Sequence, residues 1–418
     1  MARDDNRIES VSRALDEAGL DAIICALPAN VLLLSGYWPV AGAAVAIATR
    51  EGRTVVIAPK DEMELAARAL ADEVRNYRPG SLDEAKSVAE ALWLPLREAA
   101  VDLSVERGRI GYERGPSLTS APYAAMQVFG VGLIDLLRRA LPDARLRPGD
   151  EMLARLQATP TPMEAKRIRA ACRIAGRAYL EGARQLRAGM KEYEAAALFR
   201  GPLGATDYQP GVQRADGFTF CLSGANSANA HAAYARSRDR EIATGDLVMV
   251  HCNSYADGYW TDITRTFVLD EADERKLEMY GAVFAALHAA LGAIRPGARA
   301  ADVDAAARAT VISRGFGEHF KHATGHGVGF AAIDPNAPPR LRPASDDMLE
   351  EGMIFSVEPA IYVENYGGLR HCEMALVTET GAEVLTPFQS SIDQLVIGSS
   401  GGDGLLEAET AAAPATVV

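Results

Sequence analysis

The stretch GDLVMVHCNSYADGYWTDITRTF, residues 245–267, constrains this chain more than any other. Two β-rich runs flank Asp257-Gly258, a dipeptide suited to a tight turn, so the stretch reads as a pair of antiparallel strands. Strands of this composition bury apolar side chains, yet His251 and Asp262 stand where core residues belong. They fall on facing strands and can point at one centre. Three further segments repeat the anomaly. HATGHGVGF carries His322 and His326 four residues apart among glycines. MIFSVEPAIYV is a strand that sets Glu358 directly before Pro359, and GGLRHCEMALVT leads His371, Cys372 and Glu373 into another strand.

Each of these residues alone has a plainer reading. A single strand histidine is usually a satisfied core or surface residue, a Glu before Pro a turn residue, and a lone Cys a small buried apolar group. His288 and His319 have no partners in sequence and keep that plainer reading. Together, imidazoles and carboxylates on separate strands form the donor set expected for Zn, Mn, Co or Fe.

The rest of the chain divides around this region. Over residues 1–155 short apolar runs alternate with helical patterns, which predicts an α/β domain. Its predicted strands are DAIICAL, VLLLSGY, AAVAIAT, TVVIAP and RIGYE. Its helical patterns run from Glu62 to Glu73 and from Leu82 to Leu94, the second stopped by Pro95. A boundary follows at TPTPMEAKRI, where Thr161 can cap a helix with Pro162 at its first position and Glu164 three residues after the cap. Residues 160–395 form the second domain and hold all 7 histidines, while 396–418 lack a sustained apolar period and read as a disordered tail.

Composition excludes several classes. A net charge of −13 argues against a nucleic-acid partner. The longest uncharged stretch, Ala22 to Thr49, is broken by Pro28, Asn30, Ser35, Gly36 and Pro39, so it reads as short strands and not a membrane span. The N-terminus has no signal-peptide core. The 5 cysteines are odd in number and widely spaced, which fits a reducing cytoplasm better than a disulfide scaffold.

At the four segments the chain resembles the pita-bread hydrolase family of methionine aminopeptidase, aminopeptidase P, prolidase and creatinase. GYWTDITRTF, SGANSANAH, GHGVG and GMIFSVEP carry the resemblance. It implies a creatinase-type α/β N-terminal domain followed by an α+β pita-bread domain. The family's five metal ligands are Asp, Asp, His, Glu and Glu. The second Asp corresponds to Asp262, the His to His326 and the first Glu to Glu358. The first Asp, eleven residues before the second, corresponds to His251, and the last Glu to Cys372. Strand alternation aims Glu373 at the opposite face. His231 holds the position of the family's proton-handling histidine, and His322 resembles a recurrent one. The His-Glu segment that follows GHG in prolyl peptidases reads Ile333-Asp334-Pro335 here.

These residues support a hydrolase of C–N bonds in a small molecule or short peptide, with His251, Asp262, His326, Glu358 and Cys372 around a divalent metal (Zn, Mn or Co) and His231 and His322 in catalysis. A mixed N, O and S donor set favours Zn or another borderline ion. The alternatives are a metal-independent, creatinase-like hydrolase, in which Asp262 and Glu358 clamp a guanidino or amidino group, and a non-catalytic binding module. The resemblance also implies a homodimer, and the apolar stretch LLLSGYWPVAG, with Tyr37 and Trp38, reads as too apolar for an open loop.

Overall fold

The computed structural model describes residues 3–39, 43–78, 86–114, 132–207, 209–232, 235–334, 337–388 and 391–398. The chain divides into two compact units between Gln157 and Ala158.

The first unit is built on a six-stranded sheet. Its strands are β1 (Ala22–Cys25), β2 (Val45–Thr49), β3 (Thr54–Pro59), β4 (Glu73–Tyr77), β5 (Arg109–Tyr112) and β6 (Arg145–Pro148), in the order β4-β3-β2-β1-β5-β6. Every residue of β1, β2 and β3 is buried, as continuous apolar runs covered on both faces must be.

Several local expectations are corrected here. VLLLSGY is not a strand: Pro28–Ser35 is a helix with Pro28 in its first turn and Gly36 at φ 68° closing it. Glu113 decides the matter, because its Oε1 accepts from Leu27 N at 2.6 Å and also from Ala26 N, while Oε2 accepts from Asn30 Nδ2 at 2.6 Å. A carboxylate 83 residues away or more thus fixes the two backbone N–H groups that lead into the helix and the Asn30 side chain of its first turn, which no local pattern encodes. Leu32, Leu33, Leu34 and Tyr37 are all buried within this unit. Trp38 of the same stretch is only partly buried, and its residues 40–42 lie outside the described residues. Pro95 does not stop a helix but lies inside Val88–Asp102, whose first turn is held by a reciprocal Ser87–Glu90 cap and whose inner face buries Leu92, Leu96, Ala99 and Ala100. The helical pattern expected from Glu62 yields only Met63–Ala66 before β4 begins. Residues 82–85 of the expected second helix lie outside the described residues.

The second unit opens with the helix Pro162–Gln185, capped reciprocally by Thr161 and Glu164. Its Tyr179 hydroxyl sits 2.9 Å from Val250 O and 2.7 Å from Ile263 O, which ties the helix to two neighbouring strands. Those strands, β8 (Leu247–Ala256) and β9 (Tyr259–Leu269), turn at Asp257 (φ 49°) and Gly258 (φ 88°). With β7 (Ala215–Ser223) they form an antiparallel set. MIFSVEPAIYV is two strands, β10 (Ile354–Val357) and β11 (Ala360–Val363), parted at Glu358-Pro359. β11 pairs with β12 (Gly367–Arg370), and β10 with β13 (Glu373–Val377), which also pairs with β14 (Ala382–Val384). The last strand, β15 (Val396–Ile397), runs parallel to β9, so these two residues belong to the sheet and not to a tail. Residues 399–418 lie outside the described residues. Among the described residues no helix is long and apolar enough to cross a membrane.

Candidate functional site

The hairpin register sets His251 opposite Thr264 and Asn253 opposite Asp262. Asp262, 1% exposed, is the fixed point of the site. Two backbone alignments bring the other groups to it. The loop carrying the two histidines runs along the end of β10, with Ser356 N donating to His326 O at 2.9 Å and Glu358 N to Thr324 O at 2.7 Å. This approach demands glycine at position 325, where a Cβ would stand 1.8 Å from Ser356 O. Asp304 anchors the same loop by accepting from Thr324 N at 3.1 Å and from its hydroxyl at 2.7 Å. At the other end, Cys372 N donates to Thr264 O at 3.1 Å and ties the start of β13 to β9.

His326 Nε2 consequently lies 3.4 Å from Asp262 Oδ2 and 3.6 Å from Glu358 Oε1. One donor atom from each of these three residues falls within 4.8 Å of the others. His326 Nδ1 is 3.0 Å from Gly327 O, a pure acceptor, so the proton sits on Nδ1 and Nε2 presents a lone pair to the two carboxylates in the neutral ring. Burial opposes protonation of His326, but Asp262 and Glu358 outweigh it and raise the imidazole to about 9. Burial, with Asp262 adding to it, lifts Glu358 to about 7 against the pull of Arg370 and His326. Asp262 is held below the usual carboxylate range, since His251, His326 and Arg370 together overcome its burial. With a divalent cation in place of the Nε2 proton, two carboxylates and the imidazole nitrogen would form its donor set, and the residues fit one.

Of the five residues expected around a metal, three converge in this way. His251 borders the trio, with Nδ1 3.5 Å from Asp262 Oδ1, but both its nitrogens are engaged. Nε2 is 3.0 Å from Asn253 Oδ1, which only accepts, so Nε2 bears the proton and Nδ1 accepts from Thr264 Oγ1 at 2.9 Å. Thr264 in turn accepts from Arg370 Nε at 3.1 Å. Burial lowers His251 to about 4, helped by Arg370 and opposed by Asp262, so it stands as a neutral ring. Cys372 donates its thiol to Asp262 O at 3.2 Å. Burial, then Asp262 and Glu358, push that thiol well above its ordinary value. Glu373 turns to the opposite side and accepts from Arg265 Nη2 at 2.7 Å and from His371 Nε2 at 2.8 Å.

His231 and His322 gather around Tyr362. His322 Nδ1 is 2.7 Å from Ala323 O and Nε2 is 2.9 Å from the Tyr362 hydroxyl. Burial, then Arg370, lower His322 to about 3, so it is neutral and accepts the phenol proton. His231 also packs against Tyr362, 5.2 Å between ring centroids, and its Nδ1 bonds Ala228 O at 3.0 Å. Burial and then Lys321 hold the His231 imidazole below its ordinary value. The loop that carries it is pressed against β12, where Gly368 N donates to Ser227 Oγ at 2.7 Å and a Cβ at Gly368 would meet Ser227 O at 2.3 Å.

Sequence reading missed three residues that organise this site. Arg370 lies within the GGLR segment, and its Nη1 approaches Glu358 Oε2 to 3.7 Å. Tyr362 lies in the strand that follows Glu358. Glu192, fully buried, accepts from Ser223 N, Ser223 Oγ, Asn226 Nδ2 and Arg238 N at 2.7–2.8 Å, and so shapes the loop bearing His231. Arg370 and Tyr362 stood inside segments already singled out, whereas Glu192 carried no local signal.

Comparison with known proteins gives two family matches. Residues 166–379 match the metallopeptidase family M24, and residues 7–156 match the creatinase/prolidase N-terminal domain. An Xaa-Pro dipeptidase of Pyrococcus horikoshii is 28% identical over 380 residues, 91% of this chain and 96% of that protein. The crystal structure of the prolidase from Pyrococcus horikoshii OT3 is similar with a TM-score of 0.72 and 27% identity, over 93% of this chain and 99% of that one. The X-Pro aminopeptidase from Thermotoga maritima MSB8 superposes with a TM-score of 0.74 at 25% identity, over 91% and 99%.

Proposed function

The chain belongs to metallopeptidase family M24 and is a hydrolase of peptide C–N bonds, and we propose that it cleaves short peptides with one divalent cation held by Asp262, His326 and Glu358. The observation that carries this reading is the convergence of three donor atoms, one per residue, within 4.8 Å of one another. Two carboxylate oxygens and one imidazole nitrogen suit Zn, Mn or Co. Such a cation supplies Lewis-acid polarisation of the scissile carbonyl and activation of water.

The surrounding side chains do the rest. His231 turns Nδ1 to Ala228 O, and in this reading the imidazole takes a proton during hydrolysis or, once protonated, steadies a developing oxyanion. His322 acts as a positioning residue, because both its nitrogens are used to fix the Tyr362 hydroxyl. Arg370 places a permanent cation beside Glu358 and opposes the burial that lifts its carboxyl. The relatives named Xaa-Pro dipeptidase support a dipeptide substrate. Metal analysis of protein purified without added metal, followed by peptide hydrolysis with and without chelator, tests the reading. Bound metal with chelator-sensitive, metal-restored activity is expected. Full activity in a metal-free, chelator-treated preparation overturns it in favour of the creatinase-like alternative.

A further inference from the structure

A cleft of about 530 Å³ opens beside His231 in the second unit. That volume suits a residue-sized group and is far too small for a protein surface to enter. Its charge is unusual for a chain of net charge −13. The lining includes Arg238, Arg240 and Lys321, against a single carboxylate, Glu364. Arg240 is committed to the fold, since its Nη1 donates to Asp246 Oδ2 and to Ser223 Oγ, both at 2.6 Å. Arg238 and Lys321 make no ion pair among the described residues. Two uncommitted cations therefore face one concavity, with the Asn229 amide and the His231 ring beside them. The position of Arg238 is fixed from below, because its own backbone N–H is bound by the buried Glu192 at 2.8 Å.

We propose that this cleft binds a carboxylate of the substrate, held by Arg238 and Lys321, while His231 attends the scissile bond. The assignment to substrate rests on the peptidase reading above; the anion site itself does not. Guanidinium and ammonium groups not matched by protein carboxylates gain most when a charged ligand displaces water from a recess. The carboxylate is either the free C-terminus of a short peptide or an acidic side chain near it, and the chemistry is common to both.

The test has an arm for each level. Glutarate binding is measured by calorimetry on the whole protein at low ionic strength. Wild type binds it, Arg238→Ala/Lys321→Ala weakens binding tenfold or more, and Glu364→Gln, which removes the opposing charge, tightens it two- to threefold. Equal affinity in all three proteins, or no binding to wild type, overturns the site. Peptides are then compared as free acids, as C-terminal amides and with Glu replaced by Gln. The modification that raises KM in wild type but not in the double variant identifies the source of the carboxylate. If all forms have the same KM in both proteins, the cleft is not a substrate site. Absence of any peptide hydrolysis refutes the peptidase reading, while the glutarate arm still decides the cleft.

Discussion

The Cys372 thiol donates to the main-chain oxygen of Asp262 at 3.2 Å and lies 3.7 Å from Oδ1 of the same residue. The neutral ring of His251 covers the same carboxylate oxygen from the hairpin side, with Nδ1 3.5 Å from Oδ1. Asp262 thus offers Oδ2 to His326 and Glu358 while its Oδ1 is enclosed by uncharged groups.

This asymmetry predicts one divalent cation per chain. Equilibrium dialysis followed by elemental analysis of wild type should give a stoichiometry near one. The pair His251→Asp and Cys372→Glu restores two carboxylates on the Oδ1 side and should raise it toward two, with preference moving to Mn and other oxygen-loving ions. Two metals in wild type, or no change in the double variant, would contradict the assignment.

His231→Ala should lower turnover by about 100-fold or more, the ordinary scale of a proton-handling group, with little change in melting temperature. The ring is half-buried at the end of a polar loop whose shape is set by Glu192, Ser227 and Gly368, so removing it leaves the scaffold intact. Near-normal kcat would reject the role.

Gly325→Ala is predicted to be severe, because the added methyl would stand 1.8 Å from Ser356 O and force the histidine loop off β10. We expect a stability loss of about 2–3 kcal/mol by urea unfolding. Metal affinity should fall with it, since Gly325 is the link that holds His326 against Glu358. Unchanged stability together with unchanged metal affinity would show that the loop has another way to sit.

Asp347 accepts from Arg340 N at 2.9 Å and Arg340 Nε at 2.8 Å, and although partial burial opposes it, this pairing holds its carboxyl below the ordinary value. A depressed carboxyl stabilises the fold above its unfolded-state pKa, and the contribution is lost as pH falls through the lower folded value. Asp347→Asn should therefore cost about 1 kcal/mol near neutrality, a figure kept small because the pair is partly solvated, and progressively less below about pH 4. A difference between the two proteins that stays constant with pH would point to packing instead of charge.

The sequence by itself determined the hairpin, its turn at Asp257-Gly258, the Thr161 cap and the identity of the residues that bear chemistry. These are local matters: β-branched runs, a dipeptide that accepts positive φ and a hydroxyl three residues before a Glu act within a few positions. The buried strands β1, β2 and β3 were legible for the same reason, and the family resemblance supplied the overall fold. Tertiary structure decided the rest. The helix at Pro28–Ser35 is as apolar as a strand, and the distant Glu113 carboxylate settles which of the two forms. Likewise, the family resemblance assigned five residues to a metal, whereas the packing of separate strands and loops decides which donor atoms come together, those of Asp262, His326 and Glu358 falling within 4.8 Å of one another. Whether His251 shows a lone pair or a proton depends on Asn253, Thr264 and Arg370, the last from a strand more than a hundred residues away. A side chain's type is written in the sequence, but its protonation and aim follow from whichever donors and acceptors the folded chain packs against it.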